Sequence, residues 1–307
     1  MTGYSEDTNV ISFSSLFGTL WRRKWVIVIV TLLSGVGAAY YAYTQPDVYR
    51  AEIMTVLPQE DSAGGLGAVG GQLGGLASLA GISMGDAGTM RLEQVEKLIR
   101  SRSFIQSFIE KHDIKKEIYA TEGWNKETDE LIYNKELYDP DTNTWTRPGG
   151  EPSSWMLFGR FLELINVEIF FKKNMLILQM DHYSPYLAKR WAELLVDELN
   201  TFYREKNQRE ARESMEFLRE TLKETELVQV RDVFYDLLEE QTKKAMLTEV
   251  RQEYAFETLA PAVLPEDKNH PKRPIIVALG IILGGILGII LAFIFEGAAW
   301  LQRNRQD

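Results

Sequence analysis

The sequence predicts an α+β protein that is anchored in a membrane by two transmembrane helices, with an outer domain and a long helical hairpin between them. Two windows, 25–46 and 274–295, contain no Asp, Glu, Lys or Arg. Between them lie β-rich runs, and then the stretch 186–260, which has no Gly and no Pro. With 45% apolar and 25% charged residues, the composition is that of a folded chain.

Each uncharged window is long enough to cross a bilayer, because a hydrocarbon core of ~30 Å needs about 20 helical residues. A buried helix of a soluble protein is the alternative interpretation, but the second window is apolar on every face. A signal peptide is a further alternative for the first window. The long segment before this window and the sequence Tyr40-Tyr41-Ala42-Tyr43, which offers no small-x-small cleavage site, favour an uncleaved anchor.

The basic residues beside the two windows predict the orientation of the chain. By the positive-inside rule, both termini are cytoplasmic and residues 47–273 lie on the far side, although Lys272 and Arg273 weaken this assignment. The flanks carry net charges of +1 and 0, so the stretch between them carries −11 when the whole chain carries −10. This acidity excludes nucleic acid as a partner. The residues that anchor the first window are Trp21, Arg22, Arg23, Lys24 and Trp25.

The outer domain begins with a predicted strand and a glycine-rich segment. Residues 49–57 alternate as a strand does, and Pro58 ends the run. Residues 62–88 then hold ten of the 23 glycines, interleaved with leucines. A flexible linker is one interpretation, and a segment that packs against neighbouring subunits is the other. A phosphate-binding loop is excluded, because no Gly-x4-Gly-Lys-Ser/Thr motif occurs.

Further elements follow from periodicity and from helix-start signals. Thr89 is a candidate cap for a core helix at 90–111. Residues 121–154 are polar with scattered aromatics, for which loop and hairpin packing is favoured over a cradle for a sugar ring. Residues 167–180 predict a β-hairpin or one long strand. Ser184-Pro185 is a helix start, because Ser can accept an orphan N–H and Pro loses nothing there.

The following helical region must turn back on itself. An unbroken helix over 186–260 would be roughly 110 Å long, but its end has to reach the second window at Pro274. The most favourable place for the bend is 224–230, which contains β-branched residues. The almost wholly polar run 204–213 is interpreted as a solvated face, with ion pairs between subunits or the wall of a wet lumen as alternatives.

Prolines and glycines mark the return to the membrane. Four closely spaced prolines predict a stiff, extended connector. The second window carries three glycines at four-residue spacing, which form a groove that lets another helix approach closely. Ser34, Gly35 and Ala38 make the first window one candidate partner. The connector residues are Pro261, Pro265, Pro271 and Pro274, and the groove residues are Gly280, Gly284 and Gly288.

Catalytic chemistry has little support in the sequence. The three histidines, at 112, 182 and 270, are isolated, and the chain has no cysteine and no His-Glu-x-x-His motif. Paired carboxylates such as Glu239 and Glu240 lie on a helix face that is expected to be solvated. We therefore predict a protein without enzymatic activity, bound metal or cofactor.

Several short passages carry a family resemblance when they are taken in order. They are Ile11-Ser12-Phe13 with 20–25, Tyr49-Arg50-Ala51-Glu52, Leu79-Ala80-Gly81-Ile82, residues 184–191, Glu216-Phe217-Leu218, residues 238–242, Glu253-Tyr254-Ala255-Phe256, and Pro261-Ala262 with the proline run. Together they resemble the Wzz-type chain-length determinants, the polysaccharide co-polymerases of bacterial inner membranes. Larger relatives carry a cytoplasmic tyrosine kinase, and since only a short tail follows Phe295, we expect the kinase-less, O-antigen-type class.

The resemblance implies an α/β base near the membrane, a long helix in the periplasm and a ring- or bell-shaped homo-oligomer. It also implies a role in setting the length of a lipid-linked glycan made by a Wzy-type polymerase. The competing interpretation is a structural subunit of a polysaccharide export complex. The predicted organisation is a cytoplasmic tail at 1–24, transmembrane helices at 25–46 and 274–297, a periplasmic base at 47–183, a long helical region at 184–260, a connector at 261–273 and a cytoplasmic tail at 298–307.

Overall fold

A computed structural model describes residues 20–58, 86–224, 228–251 and 253–303 of the protein. The chain is a mixture of helices and strands that forms two compact units. The first unit comprises Met1–Asp47 with Asn269–Asp307, and the second comprises Val48–Lys268. The glycine-rich segment predicted at 62–88 lies outside the described residues except for its last three positions.

The first unit consists of two apolar helices that pack against each other. Helix α1 spans Lys24–Thr44, and the last helix, α8, spans Arg273–Arg303. α1 and the segment Arg273–Gly297 of α8 are long and apolar enough to cross a membrane. α1 ends before Gln45, whose backbone is extended. α1 thus begins one residue before the predicted span 25–46 and ends two residues before the end of that span. α8 begins one residue before the predicted span 274–297 and ends six residues after it.

The second unit is built on a four-stranded antiparallel sheet. Its strands are β1 (Tyr49–Val56), β6 (Ile165–Phe170), β7 (Met175–His182) and β8 (Glu257–Ala260), in the order β6-β7-β1-β8. β6 and β7 form a β-hairpin whose turn contains Asn174 in a left-handed conformation, with φ 49°. The hairpin alternative predicted for 167–180 is therefore the correct one.

The core lies on one face of this sheet. Ala51, Ile53 and Thr55 of β1 are buried while Glu52 is exposed, which is the alternation expected of a strand with one covered face. Trp191, Leu195 and Leu199 of the long helix belong to the same core, as do Phe108 and Phe161. On the opposite face, Arg50 donates two hydrogen bonds of 2.6 Å to the carboxylate of Asp181.

The predicted single helix at 90–111 is wrong, because the structure has two. Helix α2 spans Asp86–Ile99 and helix α3 spans Arg102–His112. The break occurs at Ser101, whose hydroxyl accepts a hydrogen bond from the N–H of Phe104 at 3.3 Å and caps α3. Thr89 lies inside α2 and does not cap it.

The region 121–154 folds into short strands and turns, as predicted. After helix α4 (Lys115–Tyr119), strands β2 (Thr121–Asn125) and β3 (Glu130–Tyr133) form one two-stranded sheet. Strands β4 (Tyr138–Asp139) and β5 (Thr144–Trp145) form another. Aromatic side chains hold this region together, with the rings of Tyr138 and Trp145 5.2 Å apart. Helix α5 (Ser154–Leu164) then leads directly into β6.

The long helical region consists of α6 (Pro185–Glu224) and α7 (Val228–Val250), which pack against each other. Ser184 accepts a hydrogen bond from the N–H of Leu187 at 3.5 Å, as expected for a cap. The predicted bend at 224–230 falls partly outside the described residues. The predicted helical extent of 184–260 is too long, because α7 ends at Val250 and residues 257–260 pair with β1 as strand β8.

Candidate functional site: the paired apolar helices

Three glycines of α8 lie against α1 and leave no room for a side chain. A Cβ atom at Gly280 would lie 2.3 Å from the Cβ of Ala38, and one at Gly284 would lie 2.5 Å from the Cβ of Ser34. At Gly288 the nearest atom, the Cα of Ile27, would be 3.0 Å away. Real Cβ atoms do not approach other atoms as closely as at Gly280 and Gly284, and the distance at Gly288 is tighter than most real contacts. A larger residue at 280 or 284 would therefore push the two helices apart.

The first helix contributes its own small residues to the contact. Gly35 of α1 faces Ile281, whose Cγ1 would lie 3.1 Å from a Cβ at position 35. The hydroxyl of Ser34 donates a hydrogen bond of 2.8 Å to the carbonyl oxygen of Gly280. In an apolar medium this bond satisfies a hydroxyl that has no water to bind. Ser34, Gly35 and Ala38 therefore form part of the surface of α1 that is complementary to the glycine groove.

At one end of the pair, the basic anchor residues of α1 meet a carboxylate of α8. The Nε atom of Arg23 lies 3.2 Å from Glu296 Oε2, and Nη1 of Arg22 lies 3.7 Å from Glu296 Oε1. Lys24 instead lies over the indole of Trp21, with its Nζ 4.7 Å from the ring centre. Trp21 and Trp25 are exposed, which suits side chains at a membrane–water interface.

The other end of the pair is held by Arg273, the first residue of α8. Its guanidinium donates to the carbonyl oxygen of Ala42 at 3.1 Å and to Asp47 Oδ1 at 2.9 Å, and it lies over the ring of Tyr43. In the sequence, Arg273 is only a charge that complicates the orientation of the chain. Its position next to the uncharged window is the available signal, but the pairing with Asp47 depends on the two helices being side by side.

The four prolines of the predicted connector divide between the two units. Pro261 and Pro265 belong to the second unit, whereas Pro271 and Pro274 belong to the first. Residues 261–272 contain no helical turn, which agrees with the missing N–H groups and fixed φ of proline. Pro274 lies in the first turn of α8, where a missing N–H costs no helical hydrogen bond.

The buried histidine of the second unit has a structural environment. The N–H of Ser184 donates to Nδ1 of His182 at 3.0 Å, so the ring proton resides on Nε2, which lies 3.3 Å from the carbonyl oxygen of Glu117. Burial lowers the pKa of His182 to about 4, and its ring packs edge-on against Trp191. The ring therefore joins the ends of β7 and α4 as a neutral group.

The other two histidines lie on other segments of the chain. His112 is at the end of α3, where burial lowers its pKa. His270 is in the connector. Across residues 20–58, 86–224, 228–251 and 253–303, no group of three His, Asp or Glu side chains is arranged to hold a metal ion.

Comparison with known proteins gives one family and a set of distant structures. The family model described as Wzz, chain length determinant protein, matches residues 9–112. A solved structure titled "full-length bacterial polysaccharide co-polymerase" is similar at 12% identity and a TM-score of 0.38, covering 95% of this chain and 99% of that chain. No curated protein matches the sequence. The resemblance to the Wzz chain length determinants is confirmed by the family model, over the region that contains α1, β1, α2 and α3.

Proposed function

We propose that the protein regulates the chain length of lipopolysaccharide O-antigen, or of a related surface polysaccharide. The observation that carries this proposal is the match of residues 9–112 to the chain length determinant family. In this proposal the protein is a homo-oligomeric scaffold in the bacterial inner membrane. It acts on a Wzy-type polymerase and its lipid-linked glycan, and it changes when polymerisation stops without catalysing a reaction itself.

The proposed topology has both termini in the cytoplasm and residues 47–273 in the periplasm. Trp25 and Tyr43, near the two ends of α1, are 69% and 75% exposed. At ~1.5 Å per residue the helix rises about 27 Å from one to the other, close to the ~30 Å of a hydrocarbon core. The two aromatic side chains are therefore suited to opposite interfaces, with Arg22, Arg23 and Lys24 on the cytoplasmic side.

The paired helices restrict where a membrane partner can bind. Because α1 already fills the glycine groove of α8, a polymerase or a second copy has to contact other faces of the pair. Leu279, Leu283 and Ile290 of α8 are more than half exposed and offer such a face. On this view the glycines determine the shape of the unit that is presented to the partner.

The first test is a gel profile of surface polysaccharide from cells with the gene, without it, and with Gly284→Leu. Deletion is expected to replace a modal ladder by a random, short-weighted distribution. Gly284→Leu is expected to shift the profile in the same direction, because it separates α1 from α8. The matched control is Gly37→Leu, since a Cβ at Gly37 meets no atom within 4 Å.

One outcome would contradict the proposed function, and another would contradict the role of the glycine groove in it. An unchanged ladder with loss of total surface glycan after deletion would favour the export subunit. Equal effects of Gly284→Leu and Gly37→Leu would exclude a specific role for the glycine groove.

A further inference from the structure

A groove of about 370 Å³ lies between α3 and α6 in the second unit. This volume is within the range of roughly 300–1,000 Å³ that is usual for small-ligand sites. One wall comes from α3 together with Leu98 of α2, and the other comes from α6, so both walls belong to regular elements. No lining residue of this groove belongs to the paired apolar helices.

An exposed aromatic ring forms the apolar part of the groove. Phe202 is 38% exposed, and it packs edge-on against the buried Phe104, with the ring centres 6.4 Å apart. A second edge contact with Tyr203, at 5.5 Å, fixes the ring from another side. Phe202 thus presents part of its ring to the groove while these ring contacts hold its orientation.

Hydroxyl groups line the two walls beside this ring. Ser103 and Ser107 are four positions apart on α3, and Thr201 and Glu205 are four apart on α6, so each pair shares one helix face. Among the described residues, the hydroxyl of Ser107 makes no hydrogen bond. That of Ser103 has only a 3.4 Å contact with Ser101. The hydroxyls of Ser103 and Ser107 are therefore available to a ligand, whereas that of Thr201 already accepts a hydrogen bond of 3.4 Å from the guanidinium of Arg204.

The charge in the groove is nearly balanced. Lys111 Nζ lies 2.7 Å from Glu198 Oε2, so each neutralises the other. Burial lowers the pKa of the neighbouring His112, which favours its neutral form. Glu205 remains as an acceptor at the rim. Among the described residues that line the groove, Lys111 is paired and the two carboxylates outnumber it, while the guanidinium of Arg204 beside the groove donates to Thr201 Oγ1 at 3.4 Å. This excess of carboxylate disfavours an anionic ligand, so the groove is suited to a neutral, hydroxyl-rich one.

We propose that this groove binds one or two sugar residues of the growing glycan. The apolar C–H face of a sugar ring would lie on Phe202, and its hydroxyls would bond to Ser103, Ser107, Thr201 and Glu205. This inference rests on the proposed function, because it takes as the ligand the glycan whose length the protein is proposed to regulate. A single groove is expected to bind weakly. Several copies of the groove in a homo-oligomer bind one polymer at the same time, which raises the overall affinity.

The test is direct binding to the full chain in detergent. The probe is a set of lipid-free oligosaccharides released by mild acid from the surface polysaccharide of the cells that carry the gene. Phe202→Ala is expected to weaken binding by about tenfold or more, as removal of an aromatic contact does. Phe217→Ala is the matched control, because Phe217 is on the same helix, is 66% exposed and lies outside the groove. Ser107→Val, which changes an exposed wall residue, should weaken binding severalfold and covers the case in which Phe202→Ala fails to fold.

Three results would overturn the proposal. They are wild-type protein that binds none of the oligosaccharides, wild-type affinity in both groove variants, and equal losses in Phe202→Ala and Phe217→Ala. If Phe202→Ala instead changes the subunit number while the wild type binds no sugar, the groove is a contact for a second copy. Retained binding together with an unchanged ladder after gene deletion would reject the proposed function and leave the groove assignment standing.

Discussion

At the scale of single residues, Asn200 carries a set of contacts that fix the return of the chain from the long helices. Its Oδ1 accepts hydrogen bonds from the N–H groups of Ala255 and Phe256, at 2.9 and 2.8 Å. Its Nδ2 donates to the carbonyl oxygen of Phe256 at 3.0 Å. The side chain is buried, so these backbone groups have no water to replace it.

We expect Asn200→Leu to lower the free energy of unfolding by roughly 2–4 kcal/mol, because it removes the partner of three buried backbone groups. Denaturant unfolding of the detergent-solubilised chain, followed by circular dichroism, measures the change. Asn207→Leu on the same helix is the control and should cost much less. Equal losses of unfolding free energy in the two variants would show that the hydrogen bonds of Asn200 do not stabilise the fold more than an ordinary polar residue of the same helix does.

Residue types alone predict some of the contacts that single residues make. The small residues from Ser34 to Ala38 and the spacing of Gly280, Gly284 and Gly288 are visible in the sequence. The roles of Asn200 and Arg273 are not, since each depends on a partner in a distant part of the chain. A polar residue that binds distant backbone groups leaves no local pattern.

At the scale of elements, the pairing of α1 with α8 can be tested by a disulfide. A Cβ at Gly285 would lie 3.7 Å from the Oγ1 of Thr31, and the chain has no cysteine of its own. We expect the variant Thr31→Cys with Gly285→Cys to form an intramolecular disulfide that increases gel mobility. A dimer band would mean that the glycine face of α8 binds a second copy instead.

The same cysteine pair can test whether the ion pair between Arg23 and Glu296 holds the two helices together. Arg23→Glu should reduce the yield of the disulfide severalfold at most, because a partly exposed ion pair contributes only about 0–1 kcal/mol. Adding Glu296→Arg should restore part of the yield. If the double reversal is no better than the single one, the contact between Arg23 and Glu296 does not stabilise the pair.

Elements with strong local signals are predicted well, and elements fixed by distant pairing are not. The uncharged windows, β1 and the start of α6 follow from local composition and capping. Strand β8 lies at the end of a long run without Gly or Pro, and residues 257–260 become a strand only because Val56 and its neighbours offer a free edge. The break at Ser101 is hidden in the sequence because apolar residues continue at helical spacing across it.

At the scale of the whole molecule, the chain is two units of different character, one apolar pair of helices and one acidic α+β unit. We expect a single cysteine at Lys126, which is exposed in the second unit, to react with a membrane-impermeant maleimide in cells whose outer membrane is permeabilised. A cysteine appended to the N-terminus should react only after the inner membrane is broken. Labelling of both cysteines, or of neither, in cells whose outer membrane alone is permeabilised would refute the proposed topology.

The order of short passages along the chain predicts the family, and the match over residues 9–112 agrees with it. The groove beside Phe202 cannot be predicted in the same way. Its walls come from two helices that are far apart in sequence, and Ser103, Ser107 and Phe202 each look ordinary in their own helix. Packing alone brings them together.

The contact between Ala38 and Gly280 also limits how this sequence can change over time. The Cβ of Ala38 occupies the space that a side chain at position 280 would need. A chain that acquires alanine at 280 keeps its helices at their present distance only if position 38 becomes glycine. Substitutions at these two positions therefore depend on each other, because both side chains compete for the same volume. The loss of the methyl group at 38 has to come before the larger residue at 280.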